Sequence, residues 1–143
     1  EGLLVHFRSS GGARCIGFPV FSSEDPDIGI VLAMCTESMP ISKLAKQSPT
    51  LGSGVVLVSS PGGEADVITK GTVAKRTSFD SARGASLMLD VSAYGGSSGG
   101  AVHNLHGQVV GSVVYIMKGT GFVWAVPVET IREVLNGVIE NTR

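Results

Sequence analysis

Gly95-Gly96-Ser97-Ser98-Gly99-Gly100, followed directly by Ala101-Val102-His103, is the stretch on which the fold turns. A serine between glycines is commonly just a turn, and this chain is rich in glycine: 20 of its 143 residues, about twice the ordinary share. The other reading is chemical. A nucleophilic serine needs backbone N–H groups that converge on a developing oxyanion, and such convergence needs a tight curl. Gly96 permits the curl, and Gly99-Gly100 permits close backbone approach behind Ser98. The same letters satisfy Gly-x-Ser-x-Gly, an elbow that joins a strand to a helix and is followed by an acid and then a histidine. Here the segments after Ser98 are strand-like, 101–103 and 108–117, and His103 and His106 come before the first later carboxylate, Glu129. Context and order both exclude that elbow.

Outward from Ser98, the apolar pattern is that of short strands. Residues 3–8 and 13–21 flank the turn Ser9-Ser10-Gly11-Gly12, and 22–26 reads as a polar, turn-forming connection to a buried strand at 28–34. Residues 36–50, with Pro40, Pro49 and scattered serines, read as a crossover linker. Segments 54–58 and 66–69 flank Ser60-Pro61-Gly62-Gly63, and further strands are expected at 85–91, 101–103, 108–117 and 122–126. Only the tail is helical: after Pro127, residues Ile131, Val134, Leu135, Val138 and Ile139 recur at three- and four-residue spacing. Short strands separated by glycine-rich turns, with one terminal helix, indicate an all-β barrel or sandwich.

Composition narrows the function classes. Apolar residues make up 43% and charged residues 16%, with 11 Lys+Arg against 12 Asp+Glu for a net charge of -1. Disorder is excluded by this balance, and a near-neutral chain gives no electrostatic case for nucleic acid. No apolar run is long enough to cross a bilayer as a helix, so no membrane partner is expected, and no signal peptide is evident. Cys15 and Cys35 lie on strands and read as buried apolar residues. A single bridge between them stays open, and so does the compartment. His103 and His106 lack a third partner, so neither a metal nor any other cofactor is implied. Lys70, Lys75, Arg76 and Arg83 read as a solvated basic face. The chain starts at Glu1 inside an apolar run, as a fragment, a processed product or part of a longer polypeptide would.

A serine nucleophile preceded by its acid fits the order His, Asp, Ser. Asp27 qualifies as that acid: Asp27-Ile28-Gly29-Ile30-Val31-Leu32 puts a carboxylate just before a buried apolar strand. These residues resemble the Asp-strand of the HtrA-type, trypsin-like serine proteases of the chymotrypsin fold. Val56 to Gly63 and Thr69-Lys70-Gly71-Thr72-Val73 are similar to that family's next strand pair. Asp90 with the Ser98 loop, Gly107 to Gly111 and Gly121 to Val128 resemble its active-site loop, hairpin and final strand. The likeness runs from about Leu3 to Leu135. It implies an all-β, chymotrypsin-like double β-barrel with an incomplete first barrel: residues 1–45 the remainder of the N-terminal barrel with linker, 46–143 the C-terminal barrel plus helix. It also implies a serine endopeptidase acting on polypeptide, with Ser98 as nucleophile, Asp27 as orienting acid, and the N–H groups of Gly96 and Ser98 as oxyanion hole.

The family's histidine aligns just upstream of Glu1. His6 is the only in-chain candidate for that base, but it lies within a strand and reads as a sheet-face histidine; His103 and His106 follow Ser98 and flank a turn. The missing strands are then expected from an upstream segment or a neighbouring chain. The resemblance further places Ser92 at the floor of the primary pocket and Ser112, Val113, Val114 and Tyr115 on the substrate-facing strand, with Phe122 on the opposite wall. Uncharged Ser92 among apolar neighbours implies cleavage after small or medium apolar residues. Asp90 is expected to order the active-site loop by accepting backbone hydrogen bonds. Two alternatives stand beside this reading: a viral polyprotein-processing protease of the same fold, and a protease-fold binding or structural module without activity.

Overall fold

Alternation of apolar and polar residues governs both halves of the molecule, but only one half closes on itself. The computed structural model describes residues 4–9, 11–77 and 82–142. Three strands, β1 (Val5–Arg8), β2 (Arg14–Glu24) and β3 (Asp27–Cys35), form an open antiparallel sheet in the order β1-β2-β3. Six more close a barrel: β4 (Gly54–Ser59), β5 (Val67–Arg76), β6 (Leu87–Asp90), β7 (Ala101–Asn104), β8 (Val109–Ile116) and β9 (Phe122–Pro127), in the order β4-β5-β6-β9-β8-β7. Helix α1 (Val128–Asn141) ends the chain. The expected all-β class, with one closed barrel, a partial one and a terminal helix, is what forms.

Inside the closed barrel, every second residue is buried along β4, where Val55 and Leu57 meet Leu87, Leu89, Val102 and Val123 with no exposure to solvent. Two close backbone approaches require glycine. A Cβ on Gly71 would lie 1.9 Å from the Asp90 carbonyl oxygen, and one on Gly111 would lie 2.8 Å from that of Val126. A second, smaller cluster of Ala85, Val114 and Val126, with Ile28, Tyr115, Trp124 and Ile131 packed on it, joins barrel, sheet and helix.

Two sequence expectations change, and one left open is decided. Segment 22–26 is not a connection: β2 continues to Glu24, pairing Ser22 with Gly29 and Ser23 with Ile28, and only Asp25-Pro26 turn. A register shift between Pro19 and Phe21 inverts the facing of the strand, so its polar end still alternates while losing the apolar signature. Likewise β5 extends through Lys75 and Arg76, because its outward face is polar. Cys15 and Cys35 sit opposite each other on β2 and β3, with Cα atoms 4.1 Å apart, and are joined as a disulfide. The part of the first turn that includes Ser10 lies outside the described residues, as does Leu3.

The linker is held down rather than loose. Ala45 N–H donates to the Val109 carbonyl and Val109 N–H to that of Lys43. Arg132 on α1 donates to the carbonyls of Lys46 and Ala45. Glu129, in the first helical turn where a carboxylate complements the macrodipole, accepts from Ser48 N–H at 2.7 Å and Ser48 Oγ–H at 2.5 Å.

Candidate active site

Ser98 stands at the crest of the loop between β6 and β7, exposed, and the surrounding glycines explain how the chain gets there. Gly96 has φ +98, and a Cβ on it would lie 2.7 Å from the Ser60 carbonyl oxygen, so glycine is needed both for the curl and for the space. Gly99 is needed for its φ of +82 alone. Gly100 provides the close approach: a Cβ there would lie 2.7 Å from the Ser59 Cβ and 2.8 Å from the Ser97 carbonyl oxygen. Gly99 N–H to the Val113 carbonyl and Val113 N–H to the Gly100 carbonyl strap the loop to β8.

The loop leaves two donors facing outward. Gly62 N–H donates to the Gly95 carbonyl at 2.7 Å. In a trans peptide the C=O and the next N–H point in opposite directions, so the Gly96 N–H is directed away from the 60–63 turn. Among the described residues, neither the Gly96 N–H nor the Ser98 N–H donates to a protein acceptor. Two unengaged N–H groups, one on Ser98 and one two residues before it, suit an oxyanion. The Ser98 hydroxyl donates to the Val114 carbonyl at 3.0 Å. Val114 falls at a bulge where β8 slips out of register with β9, between Val113 and Tyr115.

Asp27 begins β3, paired with Glu24 across the hairpin end. It lines the same cavity of ≈380 Å³ as Ser98, together with Ile28, Ile30, Ser112 and Val114, and Ile131 of α1. The acid from the sheet and the serine from the barrel are thus brought together. Arg83, on the other side of Asp27, approaches its carboxylate at 3.5 Å, and a Cβ on neighbouring Gly84 would lie 2.6 Å from the Pro26 Cβ. The turn at 82–84 therefore braces the hairpin end that carries Asp27.

Other expected residues are more dispersed. Ser112 and Val114 line the shared cavity, and Val113 lies at its edge while its side chain is buried in the barrel core. Tyr115 stacks on Trp124 with ring centroids 6.2 Å apart. Past Ser112, the last β8 residue paired with β7, the 114–116 edge is free among the described residues except for the Ser98 hydroxyl. Ser92 is exposed, its carbonyl accepting from Thr69 Oγ–H at 2.8 Å, and Phe122 pairs with Asp90 between β6 and β9. Neither Ser92 nor Phe122 lines the cavity that holds Ser98. His6 sits on β1 beside a separate cavity of ≈690 Å³ near the disulfide, and His103 lies on β7 opposite Val56 and Val109. No described histidine lines the cavity shared by Ser98 and Asp27.

Sequence reasoning missed Ser97 and Ser59, whose serine identity carries no burial signal. It also missed Arg83 as a partner of Asp27, because a lone arginine in a basic stretch reads as solvated. The Asp90 carboxylate accepts no hydrogen bond among the described residues, so the loop is ordered by other groups.

Comparison with known proteins bears on the same features. The trypsin-like peptidase domain matches residues 3–111. The probable periplasmic serine endoprotease DegP-like of Hahella chejuensis (strain KCTC 2396) is 33% identical over 138 residues, covering 87% of this chain and 27% of that protein. The structure of the HtrA-type protease AlgW with a decapeptide superposes with a TM-score of 0.82 over 98% of this chain and 45% of its own, at 20% identity. At that identity the likeness speaks for the fold alone. The chain thus spans less than half of the length of both proteins. A match over most of the sequence, to a fold that independently brings a glycine-flanked serine against an acid-bearing strand, decides the affiliation: the chain belongs to the trypsin-like peptidase domain family.

Proposed function

We propose that the protein is a serine endopeptidase that hydrolyses polypeptides by acyl transfer, and that its base is a histidine carried on a segment outside this chain. The observation that carries this reading is the shared cavity: Ser98 from the closed barrel and Asp27 from the open sheet line one space of ≈380 Å³. In the proposed reaction the imidazole takes the Ser98 hydroxyl proton as Oγ bonds to the scissile carbonyl carbon. The carbonyl electron pair moves onto oxygen, which the Gly96 and Ser98 N–H groups receive. Collapse expels the amine, which leaves with the proton from the imidazolium, and water then releases the acyl group by the same path in reverse. Asp27 keeps the imidazole oriented and stabilises its cationic form.

The segment bearing the base also covers the open sheet in this reading, whether it precedes Glu1 or comes from a neighbouring chain. Residues 1–45 then belong to the first barrel and 46–143 to the second. The free 114–116 edge of β8 takes the substrate as an added strand. The absence of charge at Ser92, upstream of the Ser98 loop, and the apolar lining of the cavity beside Ser112 and Val114 favour cleavage after small or medium apolar residues. A peptide-library profile of the full-length protein tests the reading. Cleavage that disappears in Ser98→Ala supports it, cleavage that survives Ser98→Ala overturns it, and a clear preference for Arg or Lys before the cut overturns the specificity. A second reading, a binding module without activity, is favoured only by the absence of a histidine beside Ser98 among the described residues, and predicts peptide binding without any cut.

A further inference from the structure

Three polar side chains are buried among the described residues, Ser48, Ser59 and Ser97, and two of them touch each other one residue from Ser98. Ser97 has no solvent exposure and Ser59 only 9%. Burying a hydroxyl in a barrel wall is unfavourable unless it is hydrogen-bonded, and here the bonds are specific. Ser59 Oγ–H, at the end of β4, donates to Ser97 Oγ at 3.2 Å, and Tyr94 N–H donates to the same oxygen at 3.2 Å. The Ser97 main chain closes the turn again: its N–H donates to the Tyr94 carbonyl at 2.9 Å, and its carbonyl accepts from Gly100 N–H at 2.9 Å. Four hydrogen bonds therefore converge on residue 97, between the two N–H groups assigned to the oxyanion.

We propose that the Ser97–Ser59 hydroxyl pair is the positioning device of the oxyanion hole, fixing the curl at 94–97 to β4 so that the Gly96 and Ser98 N–H groups face one point. The role expected of Asp90 falls to Ser97, which supplies an acceptor from inside the curl. Without the pair, the Gly62 N–H to Gly95 carbonyl bond and the Ser97 main chain remain to hold a segment rich in glycine, whose peptides then sample other orientations. Ser97 and Ser59 touch no reacting atom; they act through the two N–H groups. This inference rests on the peptidase reading above.

The test is steady-state cleavage of a peptide by the full-length protein, with active sites counted by a fluorophosphonate so that misfolded molecules do not enter the rate. Ser97→Ala is expected to lower kcat per titrated site about 100-fold, the loss typical of one oxyanion donor, with KM changed by no more than about twofold. Ser59→Ala, which removes one hydrogen bond to Ser97, is expected to lower kcat about fivefold. The double variant should match Ser97→Ala, because both changes act through one contact. Equal kcat per site, within about twofold, in wild type, Ser97→Ala and Ser59→Ala would overturn the proposal. Should Ser97→Ala lose its cooperative unfolding transition, Ser59→Ala alone decides, and an unchanged kcat there overturns the proposal. Ser98→Ala, run alongside, separates the two levels: surviving turnover defeats the peptidase reading itself, whereas abolished turnover with unaffected Ser97 and Ser59 variants defeats only the positioning role.

Discussion

The barrel and the open sheet are built from similar apolar strands yet differ in what they bury. In the barrel, Leu57, Leu87 and Leu89 are fully enclosed, and closure gives each strand a partner on both sides, with the 114–116 stretch of β8 left open along one edge. In the sheet, Ile16 pairs with Met34 and Phe18 with Leu32 on one face, and these four remain 40%, 64%, 42% and 64% exposed. The difference separates the chemistry into two kinds of residue. Ser98 and its N–H groups ride on the half that is complete by itself, whereas Asp27 rides on the half whose apolar face is exposed. In the proposed peptidase the Ser98 loop is then preformed, and competence would depend on what completes the sheet.

Core substitutions sharpen this contrast most. Leu57→Ala is expected to cost about 2–5 kcal/mol of stability in urea unfolding, as for an enclosed leucine, while Leu32→Ala should cost about 0.5 kcal/mol in this chain. Equal losses would mean that the sheet is covered after all. The disulfide comes next. Removing the link between Cys15 and Cys35, which closes a loop of sequence separation 20, is expected to remove up to about 3 kcal/mol. The loss should be local: on reduction, hydrogen exchange accelerates at β2 and β3 amides and stays slow along β4–β9. Faster exchange throughout the barrel would show that the two halves open together.

The smallest effect concerns the helix latch on the barrel side. Burial alone would raise the Glu129 carboxyl pKa. The hydrogen bonds from the Ser48 hydroxyl and amide and from Glu129's own amide, with the charge of Arg76, outweigh it and leave the pKa below the usual glutamate value. A lowered folded-state pKa means that the contribution is present above the unfolded glutamate range and is lost as pH falls through the lowered value. The side chain is 43% exposed, so solvent screening keeps the effect small. Glu129→Gln should lower Tm by about 3 °C or less near neutral pH. The gap should vanish by about pH 3. A gap that persists in acid would show that the contact acts by shape and not by charge.

Much of this was legible in the residues. Alternation located most of the strands, and the run from Ile131 to Ile139 located the helix. Gly96, Ser98, Gly99 and Gly100 identified the loop because tight curls and close backbone approach leave glycine little competition. The place of Asp27 at the start of β3 was legible from the apolar run that follows it. What escaped notice lacked a periodic or steric signature. The register shift near Val20 hid the polar end of β2, and the outward face of β5 masked its length. Ser97, Ser59, Ser48 and Arg83 act through partners far away in sequence, which no local pattern reveals.

Fluorophosphonate labelling probes the proposed activation of Ser98 by a base outside this chain. The full-length protein should label at Ser98 alone, and Ser98→Ala should not label. The 143-residue chain should react slower by about three orders of magnitude or more, since removing the base leaves only the oxyanion hole and binding. Added imidazole, entering the cavity between Ser98 and Asp27, should recover part of the rate, and Asp27→Ala should remove that recovery. Rapid labelling of the 143-residue chain without imidazole, or labelling at a serine other than Ser98, would overturn the proposed activation of Ser98 by an outside base.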